Sequence, residues 1–329
     1  FYVLDDIVPL RALAGNAAAG IHLYPQAAAY RVNEPNFIGT PMPKDEPMAP
    51  NPPDGAMIDY VLKATPKAAV TLDILDARGT VVRHYSSDMQ PAKPDLAKLE
   101  TAPEWAKVPV VLSTAPGMHR FVWPLRSALP TILAEGNQYA DGVWSPPSQY
   151  TVALTVDGRR LTQPLLVKPD PRVTLTDDAY AQQFALAREI EQQRTRIGEV
   201  SHAVSKLQEE LVKRRAQTPA LAHDIDKCAE QLHTLAGTRA SVNPHNGWAF
   251  PPRSVRSLRF VAESLDKLGH AVDGADAEPS PDARAGIAQV QPLVDATLAA
   301  WDAWQARELA AFNAKLKAAG QEPLAVTKS

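Results

Sequence analysis

Cysteine is nearly absent: Cys228 stands alone among 329 residues. That excludes an intrachain disulfide but neither requires nor forbids an exported location. Long apolar runs are missing too, none approaching the roughly 18 residues that a membrane-spanning helix needs. An excess of one charge is also lacking. The 34 basic residues oppose 37 acidic ones, for a net charge of −3. With no basic stripe along the chain, that balance argues against a nucleic-acid or anionic-membrane partner. The chain has no basic leader followed by an apolar core of the signal-peptide kind. It opens Phe1-Tyr2-Val3-Leu4-Asp5-Asp6-Ile7, a strand-like run with no lead-in, and it is expected to be the C-terminal part of something longer.

Catalytic and metal motifs are also lacking. No His-Glu-x-x-His, paired Cys-x-x-Cys or calcium loop occurs, nor any Gly-x-Ser-x-Gly elbow, phosphate loop or dinucleotide fingerprint. His223, Cys228 and His233 fall five apart. Each step turns about 140° round a helix, so the three cannot converge on one ion. Cys228 instead shares an apolar stripe and is expected to be a buried structural thiol. No metal and no cofactor are expected. A glycosidase needs only two carboxylates a few ångströms apart, and Asp5 and Asp6 form the most interesting pair. A structural role at a strand end is the plainer expectation.

Proline is plentiful. The 30 prolines gather between Pro41 and Pro171 and thin out beyond. Proline removes a backbone donor and favours turns and sheet edges, so the skew separates a β- and loop-rich front from a helical back. Residues 1–11 read as a strand and connector, and Tyr30-Arg31-Val32 as another short strand. Residues 33–55 form a Pro-rich linker. Further strands are expected at 56–63, 70–76 and 80–85, then at 108–112, 119–123, 150–156 and 161–167. Asp157-Gly158 between the last two is the strongest short hairpin signal. About seven short strands with frequent turns over 56–172 fit an immunoglobulin-like β-sandwich, interrupted by insertions at 87–107 and 128–147.

The apolar period then changes from 2 to about 3.6. Over 173–320 the pattern predicts an antiparallel helical bundle of two long and two short helices, with a tail at 321–329. Thr176 is a candidate N-cap, with Asp177 and Asp178 suited to the positive helix end. Ile197, Val200, Val204, Leu207 and Leu211 recur at the spacing of a packed seam. Thr218-Pro219 restarts a helix that Gly237 stops. Ser254 is expected to cap the third helix, and Ser280-Pro281 the fourth. The outer two have roughly 40 residues each and the inner two about 20, at ~1.5 Å per residue. These lengths predict a long antiparallel hairpin of the first and fourth helices, flanked distally by the other two.

The aromatic residues offer weak candidates only. Tyr139 and Trp144 lie in a Gly- and Pro-rich insertion, where rings either stack on sugars or anchor the loop to the sandwich. Phe121 and Trp123 are expected to divide between the two faces of their strand, so that one is core. Trp248 reads as a plug between helix pairs, and Trp301 as packing on the last helix.

Several stretches resemble one family in order. Phe1-Tyr2-Val3-Leu4-Asp5-Asp6-Ile7 is similar to the closing strand of the β-propeller in bacterial sortilin-like proteins built on neuraminidase-type (BNR) repeats. Asn51-Pro52-Pro53-Asp54-Gly55-Ala56 and Pro116-Gly117-Met118-His119-Arg120-Phe121-Val122-Trp123 resemble the start and middle of that family's immunoglobulin-like domain, itself similar to one in flagellar hook-capping proteins. Tyr150-Thr151-Val152 through Asp170-Pro171-Arg172 resembles its end, and Ala271-Val272-Asp273-Gly274-Ala275-Asp276 the last helical segment. The resemblance implies that residues 1–32 close an upstream propeller. It also implies an exported protein, periplasmic or extracellular, whose relatives are often labelled glycosyl hydrolases. No Ser-x-Asp-x-Gly-x-x-Trp box is present, so no propeller-site residue carries over.

Two functions follow as expectations. One is a non-catalytic C-terminal structural or interaction module, with the upstream propeller as its partner in the same polypeptide and a further protein as a candidate partner of the helical arm. The other is an accessory region of a glycoside hydrolase, contributing sugar contacts through Tyr139 and Trp144.

Overall fold

The structure is a computed structural model that describes residues 6–16, 20–32, 53–92, 95, 99, 109–237 and 256–326. It combines sheets and helices, and the chain divides into two units. One comprises Phe1–Phe184 with Ala275–Glu278, the other Ala185–Gly274 with Pro279–Ser329. The expected propeller strand at 1–5, the linker at 33–52, most of the first insertion, Trp248 and Ser254 lie outside the described residues.

The first unit holds a helix α1 (Val8–Asn16) and ten strands: β1 (Ile21–Leu23), β2 (Ala29–Arg31), β3 (Ala56–Leu62), β4 (Thr71–Leu75), β5 (Val81–Ser86), β6 (Gly117–Trp123), β7 (Arg126–Ala128), β8 (Asp141–Trp144), β9 (Ser148–Val156) and β10 (Arg159–Pro169). One sheet runs β1-β3-β6, a second β2-β10-β9-β4-β5, and β7 pairs with β8. Neighbours are antiparallel except β2, which lies parallel to β10. The hairpin at Asp157-Gly158 is present, with Val156 opposite Arg159. The Asp157 carboxylate also accepts hydrogen bonds from the backbone N–H groups of Lys67 and Ala68.

Both larger sheets feed one core. Ile58, Tyr60 and Leu62 from β3 join Leu72, Ile74, Val152, Leu154, Leu165 and Val167 from the five-stranded sheet. Aromatic rings bridge the two: Tyr85 meets Phe121 edge-on at 4.6 Å, and Trp123 meets Tyr150 at 5.2 Å. At Gly55 (φ +128°) a Cβ would sit 2.2 Å from the carbonyl oxygen of Trp123, so only glycine lets β3 begin that close to the end of β6.

Three strand expectations change. Residues 8–11 are helical, because the Asp6 carboxylate accepts the N–H of Val8 and starts α1. No strand forms over 109–112. Phe121 and Trp123 are both core, 2% and 0% exposed. Two residues apart on a strand, they share a face rather than opposing each other.

The helices are α2 (Asp177–Gln217), α3 (Ala222–Ala236), α4 (Leu258–Asp273), α5 (Pro281–Trp304) and α6 (Ala310–Ala318), the last two joined by a π-helical turn, Gln305–Leu309. Among the described residues these make two long helical runs, 177–217 and 281–318, and two short helices, 222–236 and 258–273. Thr176 caps α2 through the N–H of Ala179, and Ser280 caps α5 through that of Ala283. The cap of α4 is Ser257, accepting from Phe260, rather than Ser254. Gly237 ends α3 at φ +82°, where a Cβ would fall 2.4 Å from the Ser257 hydroxyl. The end of α3 thus abuts the start of α4.

Helix direction differs from the expected hairpin. Within the second unit, Arg194 pairs with Asp266 at 2.7 Å, and Gly269 faces Ile190. Gly286 in turn faces Leu268, so the early part of α2 lies level with the early part of α5. At the other end Arg214 of α2 binds the carbonyl of Glu322, beyond α6. The two long helices therefore run in the same direction. Lys315 pairs with Asp224, and Gln231 with Glu308, so α3 runs against α5–α6, and α4 continues the same return. Counting helices by length treated the two short ones as side-by-side additions. They act in series as one return stroke.

Candidate functional site

The buried polar groups of the first unit gather around two arginines on the five-stranded sheet. Arg31 lies on edge strand β2, whose alternation turns Ala29 and Arg31 inward and Tyr30 outward. Its guanidinium carbon stands 4.6 Å from the ring centroid of Trp144 and 5.1 Å from that of Tyr180. Its Nη2 reaches the Asp276 carboxylate at 2.8 Å and Gln183 Oε1 at 2.8 Å. Its Nη1 donates to the carbonyl of Ser145 at 3.3 Å. The side chains of Arg31 and Asp276 are 1% and 2% exposed.

The partners of Arg31 are linked in turn. The Tyr180 hydroxyl donates to Asp276 at 3.2 Å, and Gln183 Nε2 donates to the carbonyl of Ala275 at 2.5 Å. Burial, reinforced by the neighbouring Asp276 carboxylate, pushes the Tyr180 phenol up to about 12. The cluster thus ties β2 and the end of β8 to the first turns of α2 and the segment Ala275–Glu278, all within the first unit. A guanidinium engaged on this many sides holds elements in place and leaves little freedom for chemistry.

Arg83 lies on β5, at the opposite edge of the same sheet. Its Nη1 donates to the carbonyls of Ser127 at 2.6 Å and Ala140 at 2.8 Å, and lies 3.3 Å from the Asp141 carboxylate. Its guanidinium carbon stands 4.9 Å from the ring centroid of Tyr85. Burial raises the Asp141 carboxyl, against the lowering pull of Arg83 and Arg126. It also lifts the phenols of Tyr85 and Tyr139, which Arg83 opposes.

A third pair, Asp59 and Arg120, faces across β3 and β6 with two hydrogen bonds of 2.9 and 3.0 Å.

Neither aromatic candidate offers a platform for a sugar. Tyr139 and Trp144 are 6% and 7% exposed. The insertion folds back on the sheet, bringing Trp144 to Arg31 and Tyr139 to Tyr85. Tyr139 packs beside Tyr85 at 5.7 Å. Trp144 receives Arg31 and also Arg126, the latter at 4.7 Å. The sugar-stacking expectation at these positions is therefore replaced by loop anchoring, through cation–π contacts at Trp144 and ring packing at Tyr139.

Cys228 is buried on α3, and burial together with nearby Glu308 raises its thiol. Among the described residues, no group of three or more His, Cys, Asp or Glu side chains is placed to hold a metal ion. Likewise, no helix among them is long and apolar enough to cross a membrane. No protein-family model matches the chain, and comparison with curated proteins gives no match.

Sequence reasoning missed both arginines and Asp276. A signal existed for Arg83, since it lies two residues from Tyr85 and a strand that buries one side chain buries the other. No comparable signal marked Asp276, which follows α4 far along the chain.

Proposed function

We propose that this chain is a non-catalytic structural and interaction module at the C-terminal end of an exported sortilin-like, neuraminidase-repeat β-propeller protein. In this reading the β-rich unit is an immunoglobulin-like sandwich, and the helices form a bracing arm. The observation that carries it is the Arg31 cluster. There a guanidinium, a carboxylate, an amide and a phenol are spent on one another and on backbone, as a scaffold requires. The resembling stretch 116–123 also pairs with the strand that begins at the end of 51–56, Ala56 to Leu62 lying against Trp123 to Gly117.

Bracing is favoured over docking on the arm. Among the described residues of α2 to α6, Val212 is the large apolar side chain that stands exposed, at 72%. One side chain falls far short of the several hundred Å² that mark an apolar interaction patch. The accessory-hydrolase reading has lost both of its rings to the core.

The test is to assay the purified chain against panels of polysaccharides, aryl glycosides and peptides. No turnover is expected; turnover that tracks the folded chain through gel filtration would overturn the reading. Joined to its upstream sequence, the module is expected to raise the melting temperature of a propeller there. An upstream sequence without propeller repeats would sink that half of the proposal.

A further inference from the structure

We propose that the free edge of the Arg83 guanidinium, with the hydroxyls gathered round it, binds a small inorganic anion of chloride size. Arginine carries five N–H donors and no acceptor. Nη1 of Arg83 serves two carbonyls and faces Asp141. Nε and Nη2 carry the other three N–H groups, and neither atom has a hydrogen-bond partner among the described residues, though both are shut off from solvent. The hydroxyls of Tyr85, Ser127 and Tyr139 are buried in the same way, also without a hydrogen bond of normal geometry among the described residues. The Tyr85 hydroxyl lies close enough that the guanidinium lowers its phenol by charge and by a loose hydrogen-bonding contact, without a bond of normal geometry between them.

These groups belong to one cluster. Ser127 offers its carbonyl to Nη1 at 2.6 Å, the Tyr85 ring lies 4.9 Å from the guanidinium carbon, and Tyr139 is the next ring. Buried polar groups in native proteins are almost always satisfied, so a concentration of orphaned donors marks an occupant. The lining selects its type. Three N–H groups and three O–H groups offer six donor hydrogens, whereas only the three hydroxyl oxygens can accept. Water would have to place its own two hydrogens as well; an anion has none to place. The local charge agrees, because Arg83 and Arg126 face a single carboxylate, Asp141. Because every lining atom is sealed, the occupant must be very small.

The test replaces chloride by bromide in crystals of the whole chain. An anomalous peak within hydrogen-bond reach of Arg83 Nη2 or Nε is expected. Density there that refines as water, with bromide only elsewhere, overturns the proposal. In solution, chloride should raise the melting temperature over gluconate at equal ionic strength by about 3 °C. Tyr139→Phe and Ser127→Ala remove a donor each with little change in packing, and each should cut that shift by more than half. Arg83→Met should abolish it. Should that variant fail to fold, the two hydroxyl variants decide alone. A full chloride shift in both of them, or none in the unaltered chain, counts against the site.

Discussion

The five-stranded sheet carries a buried arginine on each of its two edge strands, and the two are used differently. Arg31 on β2 is held between two rings and bound to a carboxylate, an amide and a carbonyl. Arg83 on β5 spends one nitrogen on two carbonyls, and among the described residues the opposite edge of its guanidinium makes no hydrogen bond of normal geometry. Both are 1% exposed, so burial alone does not separate them. The partners do. A guanidinium bonded through both terminal nitrogens fixes backbone segments to each other, while one that bonds through a single terminal nitrogen in the same dry setting calls for a guest.

The largest effect should come from breaking the Arg31 site. Arg31→Met strands the buried Asp276 carboxylate and the Gln183 amide, and should cost about 3–5 kcal/mol in chemical denaturation. Arg31→Lys should recover little, since an ammonium cannot fill the flat space between Trp144 and Tyr180. Next in size is Tyr180→Phe, which deletes a hydroxyl bound to a buried carboxylate and should cost about 1.5–3 kcal/mol. Arg83→Met ranks below Arg31→Met, at about 1–3 kcal/mol, because the carbonyls it abandons are offset by the unpaired N–H groups it removes. Equal losses for the two arginine variants would erase the distinction between them.

Two carboxylates sharpen the contrast through opposite pH dependence. Asp170 takes a two-pronged contact from Arg172, at 2.9 and 2.6 Å, and is held down to about 2 by those hydrogen bonds. Its folded value lies below the ordinary 3.8, so its contribution is present above about pH 4 and is lost as pH falls towards 2. Arg172→Gln should flatten that acid limb, and salt should weaken it, because Arg172 is 71% exposed. Asp141 behaves in the reverse sense. Burial raises its folded value, so its favourable contribution exists at low pH and is lost as pH rises through that value. Asp141→Asn should therefore remove a decline in stability on the alkaline side of the carboxyl range. Unfolding curves across pH for the two variants should move in opposite directions.

How much of this was legible depended on whether the signal was local. The Asp157-Gly158 hairpin, the Thr176 and Ser280 caps and the stop at Gly237 are written in a few adjacent residues, and each appears in place. The packing of one sheet on the other that sets Phe121 beside Tyr85 is not local, whereas the shared face of Phe121 and Trp123 is a matter of spacing that the expected division between two faces misjudged. Helix direction was out of reach for another reason. Helix lengths are the same for a hairpin flanked by two short helices and for a return stroke broken into two pieces. Only contacts such as Arg194 with Asp266 and Arg214 with Glu322 choose between them. The sites were least legible, because an inward arginine on an edge strand contradicts the usual polar-outward pattern. It is tolerated only where partners distant in sequence, such as Asp276 for Arg31, arrive to meet it.

The smallest expected effect is the most discriminating. Tyr139 and Tyr180 are both buried tyrosines beside an arginine, and the same change, tyrosine to phenylalanine, can be made at each. At Tyr180 the lost hydroxyl leaves a charged acceptor short of a bond. At Tyr139 the hydroxyl has no hydrogen-bond partner among the described residues, so in chloride-free gluconate its removal should alter stability by no more than about 0.5 kcal/mol, in either direction. In chloride the same variant should fall behind the unaltered chain, because one donor to the anion has gone. A cost at Tyr139 as large as that at Tyr180, and independent of the salt, would mean that its hydroxyl is already satisfied within the protein. Arg83 would then be a second staple, and the two edges of the sheet would be alike.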